Sequence, residues 1–228
     1  SAMRNAAIRG HYRRYYTPDN YVVTAVGSAS HRRVVSLVTK AFGKAAEPVR
    51  APKAVKAPQQ PHGGQQRLSR AFEQINVLRG YPGLPRPDSR RYAMSVLHTI
   101  LGGGMSSRLF QEVREERGLT YSISSAVSHH VDTGAVSIHC ATAPGKVDDL
   151  IAVVDTILDD VVSHGISREE LARAKGSLRG AYLMSYEDVG TRMTRLGMSE
   201  TMRGGLTPID EHLARLEAVT DDEVQRVA

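Results

Sequence analysis

Residues 101–121 of this 228-residue chain read LGGGMSSRLFQEVREERGLTY. Gly102 follows a run of apolar residues at helical spacing and stands where a helix commonly ends. The residues after the three glycines have the pattern of a second, short helix, which Gly118 ends. Apolar and polar residues alternate from residue 119 onward, as in a strand. The segment therefore predicts a helix, a triple-glycine turn, a short helix and a strand in succession.

Further strands and helices are predicted on both sides of this segment. Apolar residues alternate where a half-buried strand is expected, and they recur every third or fourth residue where a helix packs against a core. The predicted strands cover about residues 69–80, 119–123 and 136–140, and the predicted helices cover about residues 88–101, 147–161, 167–185, 187–203 and 208–217. Residues 81–87 are predicted to form a turn, and residues 129–134 a hairpin loop. Asp88 is expected to cap the helix that follows it, and Ser167 and Glu170 to form a capping box. This order predicts an α+β fold in which an antiparallel or mixed sheet is covered by helices on one side.

The N-terminal quarter has a pattern of its own. A helix is expected to end near Tyr16, because the sequence TPDN at residues 17–20 favours a turn. The β-prone run at residues 21–27 predicts a strand buried on both faces, and residues 30–42 predict a helix capped by Ser30. The apolar positions of that helix, which are expected to be buried, are Val34, Val35, Leu37, Val38 and Ala41.

Residues 44–66 separate this quarter from the rest of the chain. They combine several prolines with Lys, Ala and Gln, a composition typical of an extended inter-domain linker. Since one strand and one helix cannot cover both faces of a sheet, residues 1–43 are interpreted as the C-terminal remnant of a first domain. Residues 67–228 are interpreted as a second domain, and the chain is expected to end as a fragment, because a capping box at Thr220 opens a helix close to the last residue.

Composition argues against several classes of protein. The net charge is +6, but many basic residues lie in the first quarter without a nucleic-acid-binding motif, so no nucleic-acid partner is expected. No apolar run approaches the roughly 18 residues that cross a bilayer, so no membrane association is expected and a cytoplasmic location is predicted. The single cysteine, Cys140, lies in an alternating apolar segment, which predicts a buried side chain rather than a nucleophile.

Three stretches together resemble a known family. Residues 80–85, GYPGLP, and residues 101–122 closely resemble the insulinase and mitochondrial processing peptidase family of inverted zinc peptidases. Residues 15–20, YYTPDN, resemble the stretch that precedes the last strand and helix of the first domain in that family. The resemblance implies that each half of the enzyme consists of two similar α/β domains, and that zinc is bound in the first of them.

The zinc motif of that family is absent from this sequence. The motif is His-x-x-Glu-His on a helix, in which two imidazoles bind the metal and the glutamate activates a water molecule. None of the nine histidines belongs to such a motif, so no metal site is expected in this chain. The adjacent pair His129 and His130 is interpreted as part of a polar surface loop. The resemblance implies that the part of the first domain that binds zinc lies upstream of Ser1 in the complete protein. It also implies that the second domain is truncated before its last strand, since a final strand and helix would lie beyond Ala228.

Two residues are assigned a role by the resemblance alone. In active family members, an arginine and a tyrosine seven positions later hydrogen-bond the substrate near the scissile bond, and the matching residues here are Arg114 and Tyr121. The residues themselves allow a plainer explanation, because an arginine at a helix C-terminus is favoured by the helix dipole and a strand tyrosine is often half-buried. Sequence reasoning does not distinguish Arg114 from its neighbours Arg108 and Arg117.

The three glycines, Gly102, Gly103 and Gly104, allow several interpretations. They can form a tight helix-to-helix turn, a flexible loop that contacts substrate, or an anion-binding turn at a helix N-terminus. A nucleotide-binding P-loop is disfavoured, since no Gly-Lys-Ser or Gly-Lys-Thr follows them.

The predicted function is that of the non-catalytic second domain of a zinc metalloendopeptidase of the processing-protease type. The chain alone is expected to carry no catalytic residue and to be inactive, while its partners are a peptide or unfolded polypeptide, the missing first domain, and a second copy or a paired subunit. Two alternatives remain open at this point. The complete protein can be a non-catalytic structural or partner subunit of the same family, or the chain can be a metal-independent peptide-binding module.

Overall fold

The computed structural model describes residues 4–43, 63–70 and 72–228. These residues form two compact units. One unit combines the described residues 4–43 with Leu183–Thr207, and the other combines the described residues between 63 and 182 with Pro208–Ala228. Most of the predicted linker at residues 44–66 lies outside the described residues. Residues 63–66 are described, and they are exposed without regular secondary structure. The predicted domain boundaries stay a prediction.

The described part of the chain contains eight α-helices and three β-strands. The helices are α1 (Asn5–Tyr15), α2 (His31–Phe42), α3 (Arg91–Gly102), α4 (Val147–His164), α5 (Arg168–Ser185), α6 (Val189–Arg203), α7 (Ile209–Glu217) and α8 (Asp221–Gln225). The strands are β1 (Ile75–Gly83), β2 (Ser122–His129) and β3 (Gly134–Thr142). A π-helical segment, Phe110–Glu116, lies between α3 and β2. None of the described helices combines the length and the apolar character that a membrane crossing requires.

The three strands form one antiparallel sheet in the order β1-β3-β2. This confirms the α+β fold and shows that the sheet is antiparallel rather than mixed. The first strand begins later than predicted and continues through residues 81–83, where the sequence predicted a turn. Pro82 lies in that extension opposite Ala135, and β1 is an edge strand, where a proline is tolerated because one side of the strand needs no ladder hydrogen bonds.

In the unit that contains the sheet, the core lies between one face of the sheet and the helices. Strands β2 and β3 contribute alternate inward-facing residues, and α3 and α4 contribute apolar stripes at helical spacing. The most deeply buried members of this core include Val96, Leu109, Val113, Cys140, Leu150 and Val154. Full burial of such an aliphatic side chain stabilises a fold by roughly 1.5–3 kcal/mol. Cys140 is buried as predicted, and this burial raises the pKa of its thiol to about 11.

Helix ends follow the predicted capping residues in most places. Ser167 and Glu170 form the predicted capping box at the start of α5, and Thr220 and Glu223 form one at α8. The prediction for Asp88 was wrong, because α3 begins at Arg91 and its side chain does not cap that helix. The Asp88 carboxylate instead accepts hydrogen bonds from Arg90, which lower the pKa of this carboxyl group.

The N-terminal unit departs from two predictions. The β-prone run at residues 21–27 forms no strand, since within the described chain it has no neighbour with which to build a ladder. Helix α2 forms with Ser30 as its cap, but the predicted buried stripe is wrong: Val35 and Leu37 are 47% and 57% exposed. Periodicity predicts which side chains share a face, whereas burial also requires an element that covers this face.

Candidate functional site

Two of the three consecutive glycines allow the chain to pass close to its neighbours. A Cβ on Gly102 would lie 2.7 Å from the backbone nitrogen of Ser125, and one on Gly103 would lie 2.7 Å from the Cα of Thr99. Gly104 has open space around it, and none of the three has a positive φ angle. Glycine is therefore needed at positions 102 and 103 because a side chain would clash with neighbouring atoms, and not because the backbone is left-handed.

The short segment after the glycines is π-helical over Phe110–Glu116 instead of α-helical. Its wide turn is closed by the bond from the Arg117 amide to the Glu112 carbonyl, and the segment ends at Gly118, which has a φ of +56°. Val113 buries its side chain completely and fixes the segment to the core. The segment is too short for sequence periodicity to distinguish a π-helix from an α-helix, and π-helical turns are frequent at functional sites.

The structure brings Arg114 and Tyr121 together. The guanidinium carbon of Arg114 lies 4.8 Å from the centroid of the Tyr121 ring and 4.6 Å from that of Phe110. Its Nε lies 3.4 Å from a carboxylate oxygen of Glu115. The terminal nitrogens of Arg114 have no hydrogen-bond partner within the described part of the chain. Sequence reasoning missed Phe110, although its spacing of four residues from Arg114 is typical of helical neighbours.

Tyr121 is 79% exposed, directly before the first residue of β2. The plainer explanation of this residue, a half-buried strand tyrosine, is therefore wrong. Its hydroxyl group has no hydrogen-bond partner among residues 4–43, 63–70 and 72–228. A guanidinium that stacks on this ring, with both polar groups available, forms a surface that can donate several hydrogen bonds to one acceptor.

The structure also separates the arginines that the sequence could not distinguish. Arg108 is largely buried and donates from Nε and Nη2 to Glu170 at 2.7 and 2.8 Å, from Nη1 to Asp160 at 2.7 Å, and from Nη2 to the Gly165 carbonyl at 3.0 Å. The hydrogen bond from Arg108 is the main reason that the pKa of Glu170 falls to about 2. Arg117 is exposed at the end of the π-helical segment. Arg108 is thus committed to the fold, while Arg114 is not.

The backbone that joins Arg114 to Tyr121 is held by side chains from later in the sequence. The Lys146 ammonium donates to the Gly118 carbonyl at 2.9 Å, and the Thr142 hydroxyl donates to the Leu119 carbonyl at 2.5 Å. The Thr120 hydroxyl donates to the Ala141 carbonyl. No signal in the sequence points to these contacts, because the partners lie more than twenty residues apart along the chain.

The described residues offer no group of three or more His, Cys, Asp or Glu side chains that could hold a metal ion. His129 is the half-buried last residue of β2 rather than part of a surface loop, and its ring nitrogen Nδ1 lies 2.7 Å from the Leu84 carbonyl oxygen, directly after β1. His130 is exposed, as predicted. Zinc sites require three or four protein ligands, so the described part of the chain does not fit one.

The chain is similar to known proteins in both sequence and structure. The family model described as the peptidase M16 inactive domain matches residues 3–178. A Streptomyces coelicolor protein named as an uncharacterized zinc protease is 42% identical to this chain over 235 residues, which cover 100% of the chain and 51% of the relative. A Bacillus subtilis protein of the same description is 32% identical over 224 residues, which cover 97% of the chain and 54% of the relative. The chain thus spans about half the length of these relatives.

Solved structures show the same fold. The peptidase M16 inactive domain from Pseudomonas fluorescens aligns with a TM-score of 0.86 at 24% identity, over 98% of this chain and 54% of that chain. A protease from Helicobacter pylori aligns with a TM-score of 0.86 at 18% identity, over 99% of this chain and 55% of that chain. The resemblance read from residues 80–85 and 101–122 is confirmed, and the chain belongs to the peptidase M16 inactive-domain family.

Proposed function

We propose that this chain is the substrate-holding second domain of a zinc metalloendopeptidase, in which Arg114 and Tyr121 bind the peptide that another domain cleaves. The observation that carries this proposal is the side-by-side arrangement of two donor groups, with the guanidinium of the partly exposed Arg114 4.8 Å from the ring of the exposed Tyr121. The names of the relatives support a protease, and their length leaves room for a further domain of similar size.

Zinc enters the proposal only through that other domain. The described residues of this chain offer no group of three or more side chains that could bind a metal ion. When bound in the complete protein, zinc would supply an activated water molecule for hydrolysis. The role of this chain is to hold the substrate in place for that reaction.

The two side chains suit one chemical task, which is to donate hydrogen bonds to a peptide carbonyl oxygen. A guanidinium remains protonated at any physiological pH, and a phenol can donate its hydroxyl proton. Both donors can strengthen their bonds as negative charge develops on the oxygen in the transition state, and each such donor is worth roughly 3–4 kcal/mol in known hydrolases. Stacking against Phe110 and Tyr121 restricts the guanidinium before substrate arrives, which reduces the entropy lost on binding.

The complete protein is proposed to act on polypeptides. Its substrate is a peptide or an unfolded polypeptide, since donors aimed at backbone carbonyls require an extended chain without its own hydrogen bonds. Pairing with a second copy or another subunit would enclose this substrate. The chain alone would cleave nothing, and the proposed location of the complete protein is the cytoplasm.

The test is to replace Arg114 by Ala in the complete protein and to measure peptide cleavage. We expect kcat/KM to fall by roughly 100- to 1000-fold, with zinc content unchanged, because one donor to the developing charge is lost. Tyr121→Phe removes only the hydroxyl group and is expected to lower kcat/KM in the same direction.

Arg117→Ala is the matched control, since Arg117 is an exposed arginine directly after the same segment and makes no cation-π contact within the described part of the chain. It should retain kcat/KM within about twofold. A wild-type kcat/KM for Arg114→Ala, at full zinc content, would contradict the proposed role.

A further inference from the structure

The loop of residues 118–121 is the only covalent connection between the π-helical segment that carries Arg114 and the strand that begins after Tyr121. Gly118 gives it a left-handed bend, which by itself does not fix where Tyr121 lies. Two consecutive carbonyl groups of this loop, those of Gly118 and Leu119, each accept a hydrogen bond from a side chain outside it.

Thr142 provides the first of these bonds from the end of β3. Its side chain is 2% exposed, and its backbone is paired with Ile75 in the sheet. The hydroxyl donates to the Leu119 carbonyl at 2.5 Å. A donor that is fixed in the sheet and buried has little freedom to move, so it defines the position of the carbonyl group that it holds.

Lys146 provides the second bond from the turn Pro144–Lys146, directly before α4. Helix α4 is anchored in the core by Leu150 and Val154, which are each 1% exposed. The Lys146 ammonium donates to the Gly118 carbonyl at 2.9 Å, and a charged donor makes a stronger bond than a neutral one. The loop is thereby tied to a rigid helix as well as to the sheet.

We infer that Lys146 and Thr142 are positioning residues that hold the loop of residues 118–121 so that Arg114 and Tyr121 face one substrate carbonyl together. This inference rests on the proposed function. Neither residue contacts the two donor groups directly. Their effect passes through the backbone, where a displacement of about 1 Å at a reacting group can cost roughly 100-fold in rate.

Lys146→Met in the complete protein tests the inference, because methionine keeps the length of the side chain but removes the donor. We expect kcat to fall roughly tenfold with a smaller change in KM, since the pair should be misaligned in the transition state. Lys146→Arg keeps a charged donor and is expected to restore kcat to within about threefold of the wild-type value.

Lys175→Met is the matched control. Lys175 also donates to a backbone carbonyl, that of Glu217, at 2.8 Å, and this carbonyl lies outside the loop of residues 118–121. Its variant should lose a similar hydrogen bond and keep the wild-type kcat. Equal kcat values for Lys146→Met and Lys175→Met would overturn the role of Lys146.

Thr142 is tested by a second pair of variants. Thr142→Val removes the hydroxyl at nearly constant shape and should lower kcat roughly tenfold, whereas Thr142→Ser should retain it. Thr156→Val is the control, because Thr156 makes a comparable bond to the Ala152 carbonyl at 2.9 Å within α4. Loss of activity in Thr142→Ser equal to that in Thr142→Val would contradict a role for the hydroxyl group.

Amide hydrogen exchange in the loop provides a readout that does not depend on cleavage. Exchange at residues 119–122 should be faster in Lys146→Met than in Lys175→Met, because the loop is released from α4. If Arg114→Ala keeps full activity, the proposed function fails and the inference fails with it. If Arg114→Ala loses activity while the Lys146 and Thr142 variants keep both kcat and slow exchange, only the inference fails.

Discussion

Arg108 and Arg114 lie on the same short stretch of the chain, and their side chains have opposite surroundings. Arg108 is surrounded by Glu170, Asp160 and the Gly165 carbonyl, which together accept hydrogen bonds from Nε and both terminal nitrogens. Arg114 rests on two aromatic rings, and its terminal nitrogens have no hydrogen-bond partner in the described part of the chain. A protein that uses an arginine for stability satisfies its donors internally, whereas one that uses it for binding leaves them available.

Replacement of Arg108 by Ala is expected to have the largest effect on stability. Removing one partner of a largely buried ion pair leaves Glu170 without compensation, and we expect the free energy of unfolding to fall by about 3 kcal/mol. Chemical denaturation of the chain measures this change. Arg114→Ala should lose less than about 1 kcal/mol in the same measurement, because it gives up only stacking at the surface and a weak ion pair with the half-exposed Glu115. Equal losses for the two variants would remove the distinction.

Gly102 and Gly104 also differ in their surroundings, and the expected effects on stability are smaller. Gly102→Ala places a Cβ 2.7 Å from the Ser125 backbone nitrogen, and the resulting displacement should cost about 2 kcal/mol of stability. Gly104→Ala introduces a Cβ into open space and should be neutral or slightly stabilising. Thermal denaturation of the two variants, side by side, would show whether Gly102 is required for packing. A Gly102→Ala variant as stable as the wild type would contradict this requirement.

Stability at low pH should depend on Glu170 in the Arg108 cluster. The pKa of Glu170 is lowered from 4.5 to about 2, chiefly by the hydrogen bond from Arg108, so its ionised form favours the folded chain. This contribution is fully present above pH 4.5 and is lost as the pH falls toward 2. Between pH 7 and pH 3 the wild type should lose about 1.5 kcal/mol more stability than Glu170→Gln.

Glu115→Gln is the control for this pH experiment. Glu115 contacts Arg114 at 3.4 Å with a half-exposed side chain, and such an ion pair contributes little to stability. Denaturation curves at both pH values should therefore be nearly the same for Glu115→Gln and for the wild type. A pH dependence in Glu170→Gln equal to that of the wild type would refute the prediction.

Sequence reasoning predicted the fold class well, because the patterns that define it are local. Apolar spacing placed α3, α4 and α5, and alternation placed β3, since each signal is complete within one element. Pro82 misled the prediction of β1, because tolerance of a proline depends on whether a strand is at the edge of a sheet. The burial of α2 was overestimated for a similar reason, as it depends on neighbours that periodicity does not reveal.

The candidate site was predictable only through resemblance. Spacing alone left Arg108, Arg114 and Arg117 equivalent, and the partners that distinguish Arg108 lie some fifty to sixty residues further along the chain. The same applies to Lys146, whose contact with Gly118 is created by the fold. A sequence can indicate the residue types that a site requires, but it does not show which of them the fold has already paired.

The burial of Cys140 gives the chain an internal reporter of its own unfolding. It is the single thiol of the sequence, it is 1% exposed in β3, and its high pKa keeps it protonated at neutral pH. Alkylating reagents attack the thiolate, so modification at this position requires the sheet to open first. The rate of covalent labelling therefore measures how often the central strand separates from its neighbours, without any engineered probe.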